Sequence, residues 1–552
     1  MRIDALPRSN QSITITKYGY HNMKKTRLII SMLIAATTAT AQTLTSGGKL
    51  KPQQAIMDVR HYTIALNVDP VQKTIDGYTS IDVIMAQPTK VLLLDLLDSL
   101  KISNVLVNGK KEAFTYQNNL ITINTAKKLP AGKARVKVIY GGKPHVARRP
   151  PWDDGFTWTK DSTGLTWVAI TAEGTGGKLY FPCKDHPSDE PNEGVDMIIT
   201  VPKELVVAGP GLLQKTTKNG DKATYHWKTN YSINNYSIIF NVGDYKVVSR
   251  PYKTVDGHTV PIQFYVLNED ASKANRHLDV FEQSIRIQEK YFGEYPWVKE
   301  KIGIVETPHL GMEHQTMNAY GNKFRYSKLG GKYFDWLMHH EFGHEWWGNK
   351  VTAKDWADYW IHEGICTFGD AMPIRDLEGE QAYIKHFQQA ALTFGNKIPL
   401  VIGKDIDEEA AYNGDIYGKG AFFMHTLRYI IGDSVFFPAI KNFVTSPKYT
   451  YSNLVTTANV QEYFSKAAGR DLKPLFDLYI YSINKLEVHV MAKRGDKYLI
   501  QLQNIDMPLP LDITADGVTK RYTLDKKGLT ITSKTMPIID PDTYYLKKLI
   551  IE

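Results

Sequence analysis

The stretch LMHHEFGHEWWGN, Leu337 to Asn349, places His340, Glu341 and His344 in an HExxH pattern. On a helix, residues four apart share a face, so His340 and His344 can present two imidazole nitrogens to one metal ion. Glu341, one position after the first histidine, then reaches a water beside the metal rather than the metal itself. That is the arrangement of a zinc hydrolase. With 16 histidines in 552 residues the pattern arises by accident at about the few-per-cent level, so a third ligand has to be found. Catalytic zinc usually takes three protein ligands and keeps one position open. Glu363, nineteen residues after His344 in DYWIHEGICTFGD, offers the third from what should be the next helix.

The competing reading is an aromatic core helix. Five of the ten tryptophans, Trp336, Trp346, Trp347, Trp356 and Trp360, crowd around the motif. The two readings are compatible, because a dry, packed surround strengthens the electrostatics of a metal site and orients its ligands. His339 and His362 flank the pattern but face elsewhere on their helices.

The elements that must hold these residues are legible as three blocks. From about Gln42 to Arg250 the text reads as strands: HYTIALNV alternates Tyr62, Ile64, Leu66 and Val68 against polar or small neighbours, and IDGYTSIDVIM and KARVKVIYGG continue in that style. Turn signals such as VNGK and KNGD separate them, which predicts a mostly antiparallel β domain. After Arg250 helical spacing takes over, first through Leu278, Phe281, Ile285 and Ile287, then in AFFMHTLRYIIGD, SVFFPAIKNFV and LKPLFDLYIYSI. From Asn484 alternation returns in KLEVHVMAKRG and GLTITSK. The expected domains are therefore 42–250 (β), 251–483 (mainly α, with the metal motif) and 484–552 (a small β module).

At the N-terminus, MKKTRLIISMLIAATTATAQ from Met23 has a cationic start, a short apolar run and an Ala39-Thr40-Ala41 cleavage signal. Residues 23–41 read as a secretory signal peptide, and 1–22 as a misassigned start or leader extension. The expected location is periplasmic or secreted, with no stable membrane insertion after cleavage. The formal charge is +9; without residues 1–41 it is 61 basic against 57 acidic residues, or +4, too little to imply nucleic-acid binding. The two cysteines, Cys183 and Cys366, read as buried thiols rather than a disulfide framework.

The segment HEFGHEWWGNKVTAKDWADYWIHEGICTF, with its HExxH, spacer and WxxEG, resembles peptidase family M1, the aminopeptidase N-like gluzincins that also include the leukotriene hydrolases. The resemblance implies a multidomain α+β chain: an antiparallel N-terminal β domain, a thermolysin-like, mainly α catalytic domain and a small β-sandwich-like module. It implies one zinc ion on His340, His344 and Glu363, with Glu341 as general base. HLGMEHQTMNAYG occupies the place of the family's GxMEN motif, so Glu313 would bind the substrate's α-amine while Gly311 and Met312 form the edge strand that holds the peptide. Leu310 and His314 depart from that motif. IYGKGAFFMHTLR resembles the YxKG segment and makes Tyr417 the donor to the oxyanion. TAEGTGGKLYFPCKDHP resembles the segment carrying a second amine-site acid, here Glu173, with Lys178 where arginine is common. The implied activity is release of N-terminal residues from peptides with a free amine; an endopeptidase or an epoxide hydrolase on the same scaffold is the alternative. No helical domain follows the last β module as far as Glu552, so the cleft is expected to be more open or covered by a partner, such as a second copy in a homodimer.

Overall fold

The computed structural model describes residues 44–552. The expected signal peptide and leader lie outside the described residues. Among those described, no helix is long and apolar enough to cross a membrane.

The first block is built on an eight-stranded sheet. Its strand Met57–Asp69 buries Tyr62, Ile64, Leu66 and Val68, the alternation read from the sequence, because one face of the sheet packs on the core. It pairs antiparallel with Thr74–Met85. Its other neighbour is Val195–Pro202, and that pairing is parallel, with Tyr62 opposite Val195. A parallel pair needs a long crossover. Here the crossover is residues 70–194, including the strands Gly155–Lys160 and Thr166–Thr171 that lead to Glu173.

The strand Tyr245–Lys253 runs through residue 250 and pairs with Thr259–Leu267. Both belong to a five-stranded sheet completed by Ile302–Glu306, Asn318–Tyr320 and Gly311–Met312, the last at its edge. The first domain thus passes into the catalytic one through a shared hairpin. Helix Ala274–Phe292 packs through Leu278, Phe281, Ile285 and Ile287, all buried, as its spacing predicts.

Four further helices matter for the site: the motif helix Trp336–Gly343, the second helix Trp360–Glu378, the short Glu408–Ala411 and the tyrosine helix Asp415–Ile431. The second helix contains Pro373, which cannot donate to the carbonyl of Gly369. The His339 ring packs against that oxygen, with Nε2 at 3.4 Å from it and 3.2 Å from the Gln288 amide nitrogen. His339 therefore supports the helix rather than the metal. The last block forms two sheets, one of four strands including Leu486–Lys493 and Lys547–Ile551, the other of three.

Candidate metal centre and substrate cavity

The motif helix is fixed at its start by Asp335, whose side chain accepts from the Met338 N–H at 3.2 Å and from the Tyr320 hydroxyl at 2.9 Å. It ends as soon as its work is complete: His344 is the residue that caps it. His344 Nδ1 lies 2.8 Å from the Trp347 carbonyl, and His340 Nδ1 lies 2.8 Å from the Asp370 carboxylate. Both partners are acceptors, so both Nδ1 atoms carry the proton and both Nε2 lone pairs are free.

Those two Nε2 atoms stand 3.3 Å apart, and Glu363 Oε2 lies 3.4 Å from one and 3.6 Å from the other. Three donor atoms around a tetrahedral ion at about 2.0–2.2 Å are separated by about 1.6 bond lengths, which matches this triangle. Glu363 Oε2 is buried without a hydrogen-bond partner. A buried, unpaired carboxylate oxygen facing two imidazole lone pairs is costly unless a cation sits between them. Cys366 is also close, yet its thiol lies behind the ring: Sγ is 3.2 Å from the His340 carbonyl and 3.9 Å from Nδ1, the nitrogen already bonded to Asp370. The atoms that face one another are the two Nε2 nitrogens and the Glu363 oxygen, and the thiol sulfur lies outside that triangle. Both cysteines are buried and free.

The triad opens into a cavity of about 500 Å³ lined also by Glu341, Gly311, Met312, Glu313, Glu173 and Tyr417. Every site residue read from the sequence is therefore brought to one place. A larger residue at Gly311 would displace the Glu341 carboxyl: a Cβ there would meet Glu341 Oε1 at 2.4 Å and Leu337 Cδ1 at 2.8 Å. The edge strand and the base thus touch. Burial, opposed by His340 and reinforced by Glu313, pushes the Glu341 carboxyl up to about 8. Glu313 is 4% exposed, and Asn349 Nδ2 donates to its backbone carbonyl at 2.8 Å, pinning it to the chain that leaves the motif helix. His314, in place of the expected asparagine, is fully buried and does not line the cavity.

Glu173 arrives from the first domain and accepts a hydrogen bond from the Tyr359 hydroxyl. Burial, then Glu313 and Glu363, raise its carboxyl well above the usual range. Lys178 is tied elsewhere, 3.1 Å from Asp185. Tyr417 sits in the first turn of the tyrosine helix, its ring centre 6.3 Å from that of His340. That helix crosses the second helix at a glycine pair: a Cβ on Gly364 would lie 2.7 Å from the Ile416 carbonyl and 2.8 Å from Gly420 Cα, and one on Gly420 would lie 2.8 Å from Gly364 Cα. The close approach brings Tyr417 to the side of Glu363.

Several residues in or behind the site escape the sequence reading. Asp370 had a signal, because it lies seven residues after Glu363 on the same helical face. Asp154, Glu408, Glu409, Tyr412 and Trp152 had none, since only the fold brings those loops to the cavity. Of the tryptophans, Trp346, Trp347, Trp356 and Trp360 are core, and His362 is occupied by accepting the Ala353 N–H at 2.8 Å on Nε2.

Comparison with known proteins agrees with this geometry. The chain is 21% identical over 519 residues to the leucyl aminopeptidase of Saccharolobus solfataricus, covering 86% of this chain and 61% of the relative. It is 22% identical over 426 residues to endoplasmic reticulum aminopeptidase 1 of Rattus norvegicus, covering 71% and 44%. It thus spans about half the length of the curated relatives it matches. The fold is shared with an M1 zinc metallopeptidase of Deinococcus radiodurans solved with a Tyr-Ser-Ala substrate, at a TM-score of 0.64 and 22% identity over 78% of this chain and 95% of that one. Residues 59–236 match the peptidase M1 N-terminal domain and residues 276–479 the peptidase family M1 domain. The chain belongs to peptidase family M1.

Proposed function

We propose that this chain is a zinc-dependent aminopeptidase that releases the first residue of peptides with a free N-terminus. The observation that carries this reading is the pair Glu313 and Glu173, which face the same cavity as His340, His344 and Glu363 and bring two carboxylates to it. A substrate ammonium is the counter-charge they lack, and holding it at a set distance from the metal ligands confines cleavage to the first peptide bond. The ligand triangle fits zinc, which when bound lowers the pKa of a water and polarises the scissile carbonyl. Glu341 takes the proton of the attacking water and returns it to the leaving amine. The Tyr417 hydroxyl donates to the oxyanion as it develops. Gly311 and Met312, at the edge of their sheet, offer backbone groups to the extended peptide.

Hydrolysis of aminoacyl chromogenic amides compared with their N-acetylated forms tests this, with Glu341→Gln as control. Free-amine substrates are expected to be cleaved far faster; equal rates on both sets would remove the aminopeptidase reading in favour of an endopeptidase. Export is part of the proposal and rests on Met23 to Ala41; a mature N-terminus at Gln42, found by N-terminal sequencing of the exported protein, is the expected result.

A further inference from the structure

A second, much smaller cavity of about 30 Å³ shares Glu173 with the substrate cavity and is lined also by Glu190, Asn235, Tyr236, Trp356 and His362. These last five carry buried polar atoms with no hydrogen-bond partner among the described residues: both carboxyl oxygens of Glu190, Asn235 Oδ1, the Tyr236 hydroxyl, Trp356 Nε1 and His362 Nδ1. His362 Nε2 accepts the Ala353 N–H, so Nδ1 carries the ring proton. The Trp356 ring centre lies 6.2 Å from those of both Tyr236 and His362. Two N–H donors and several acceptors thus surround one space, and none of them is paired. The other acids along it are neutralised: Asp185 by Lys178 at 3.1 Å and Asp189 by Lys184 at 2.8 Å.

The mixture of donors and acceptors decides what this space suits. A bare cation leaves the two N–H groups unmet, and an anion leaves the Glu190 and Asn235 oxygens unmet. Water donates twice and accepts twice, needs two to four polar partners, and fits a cavity of this size. It can accept from Trp356 and His362 while donating to Glu190 and to the Tyr236 oxygen. Burial pushes the Glu190 carboxyl up to about 8, so near neutral pH it is an uncharged acid that hydrogen-bonds in both directions. Tyr236 connects the small cavity to the amine site. Its hydroxyl stands beside the Glu313 carboxyl, and burial, then Glu313 and Glu173, raise it well above its usual value, so it keeps its proton. A hydroxyl whose oxygen is met from behind gives that proton forward more strongly.

We propose that a buried water held by Glu190, Trp356 and His362 backs the Tyr236 hydroxyl, which makes Glu190 a positioning residue for the amine-site acid Glu313. This deepens the aminopeptidase reading and rests on it. The test measures inhibition constants of L-leucine hydroxamate and its des-amino counterpart, which differ only in the amine, on the zinc-loaded wild type, Glu190→Leu, Glu190→Gln and Tyr236→Phe. The wild type is expected to bind the amine-bearing inhibitor tighter by roughly 20-fold or more. Glu190→Leu and Tyr236→Phe should each cut that preference roughly 5- to 20-fold and leave the des-amino inhibitor unmoved, while Glu190→Gln, which keeps polar partners for the water, retains most of it. The double variant Glu190→Leu/Tyr236→Phe should lose no more than Tyr236→Phe alone. A general loosening of the site would weaken both inhibitors together and leave the ratio unchanged. Should Glu190→Leu fail to fold, Trp356→Phe removes one donor to the water and carries the same expectation. A preference that survives these substitutions, losses that add in the double variant, or a crystal structure of the zinc-loaded protein with a cation in the small cavity overturns the proposal alone. Equal inhibition of the wild type by both hydroxamates removes the amine site, and the aminopeptidase reading with it.

Discussion

The Glu345 carboxylate accepts the backbone N–H of Thr316 at 3.0 Å, tying the exit of the motif helix to the turn that follows Glu313. The same carboxylate accepts from Asn318 Nδ2 at 2.8 Å and from Trp297 Nε1 at 2.7 Å. Thr316 is a β-branched residue at φ 57°, a conformation that needs such support. The segments bearing His344 and Glu313 are thus braced against each other by the Glu345 carboxylate. Glu345→Ala leaves buried N–H donors without a partner, at about 1–3 kcal/mol each. A fall of about 3 kcal/mol in urea-unfolding stability is expected, with KM rising more than kcat falls as Glu313 loses its position.

Glu341→Gln removes the proton acceptor and keeps the size of the side chain. A loss in kcat of about 10²- to 10⁴-fold is expected, with bound zinc unchanged by metal analysis. Loss of zinc in this variant would assign Glu341 to the ligand set instead.

Asp370 fixes the His340 ring so that Nε2 faces Glu363. Asp370→Asn is expected to weaken zinc binding by about 10- to 100-fold in a chelator competition, with activity restored at high zinc. Stripping the metal from the wild type should abolish activity and lower the melting temperature, because an ion that binds only the folded chain stabilises it.

How much of this was legible in the sequence depends on how locally each residue is specified. His340, His344, Glu341 and Glu363 lie on two helices close in the chain, where residue spacing translates directly into geometry. The alternation around Tyr62 and Ile64 likewise follows from the pleat of a strand. The parallel partnership of Tyr62 with Val195 was not legible, because nothing in either strand records which neighbour it will take. Asp154 and Glu408 meet across more than 250 residues, and no local period announces a charge pair of that kind.

Burial holds His277 and His425, both far from the cavity lining, down to about 3. In the unfolded chain a histidine titrates near 6.5, so between about 6.5 and 3 the unfolded state binds more protons and stability falls as pH is lowered. Above about 6.5 these residues contribute no slope. Buried carboxyls raised in the fold, such as Glu341, act in the opposite sense over this window, so the histidine contribution is read as a difference: on lowering pH from about 7.5 to about 5 the urea midpoint of His277→Phe should fall less, or rise more, than that of the wild type. A steeper decline in that variant would place the acid sensitivity elsewhere.

The crossing of Gly364 and Gly420 has a consequence for how relatives of this chain can diverge. Backbone rests on backbone there, so the separation of Glu363 from Tyr417 contains no side chain that a substitution could trim or enlarge. A single alanine at either position must wedge the two helices apart, and no repacking nearby restores the spacing. The two glycines are therefore expected to be kept together with the pair of side chains whose spacing they set.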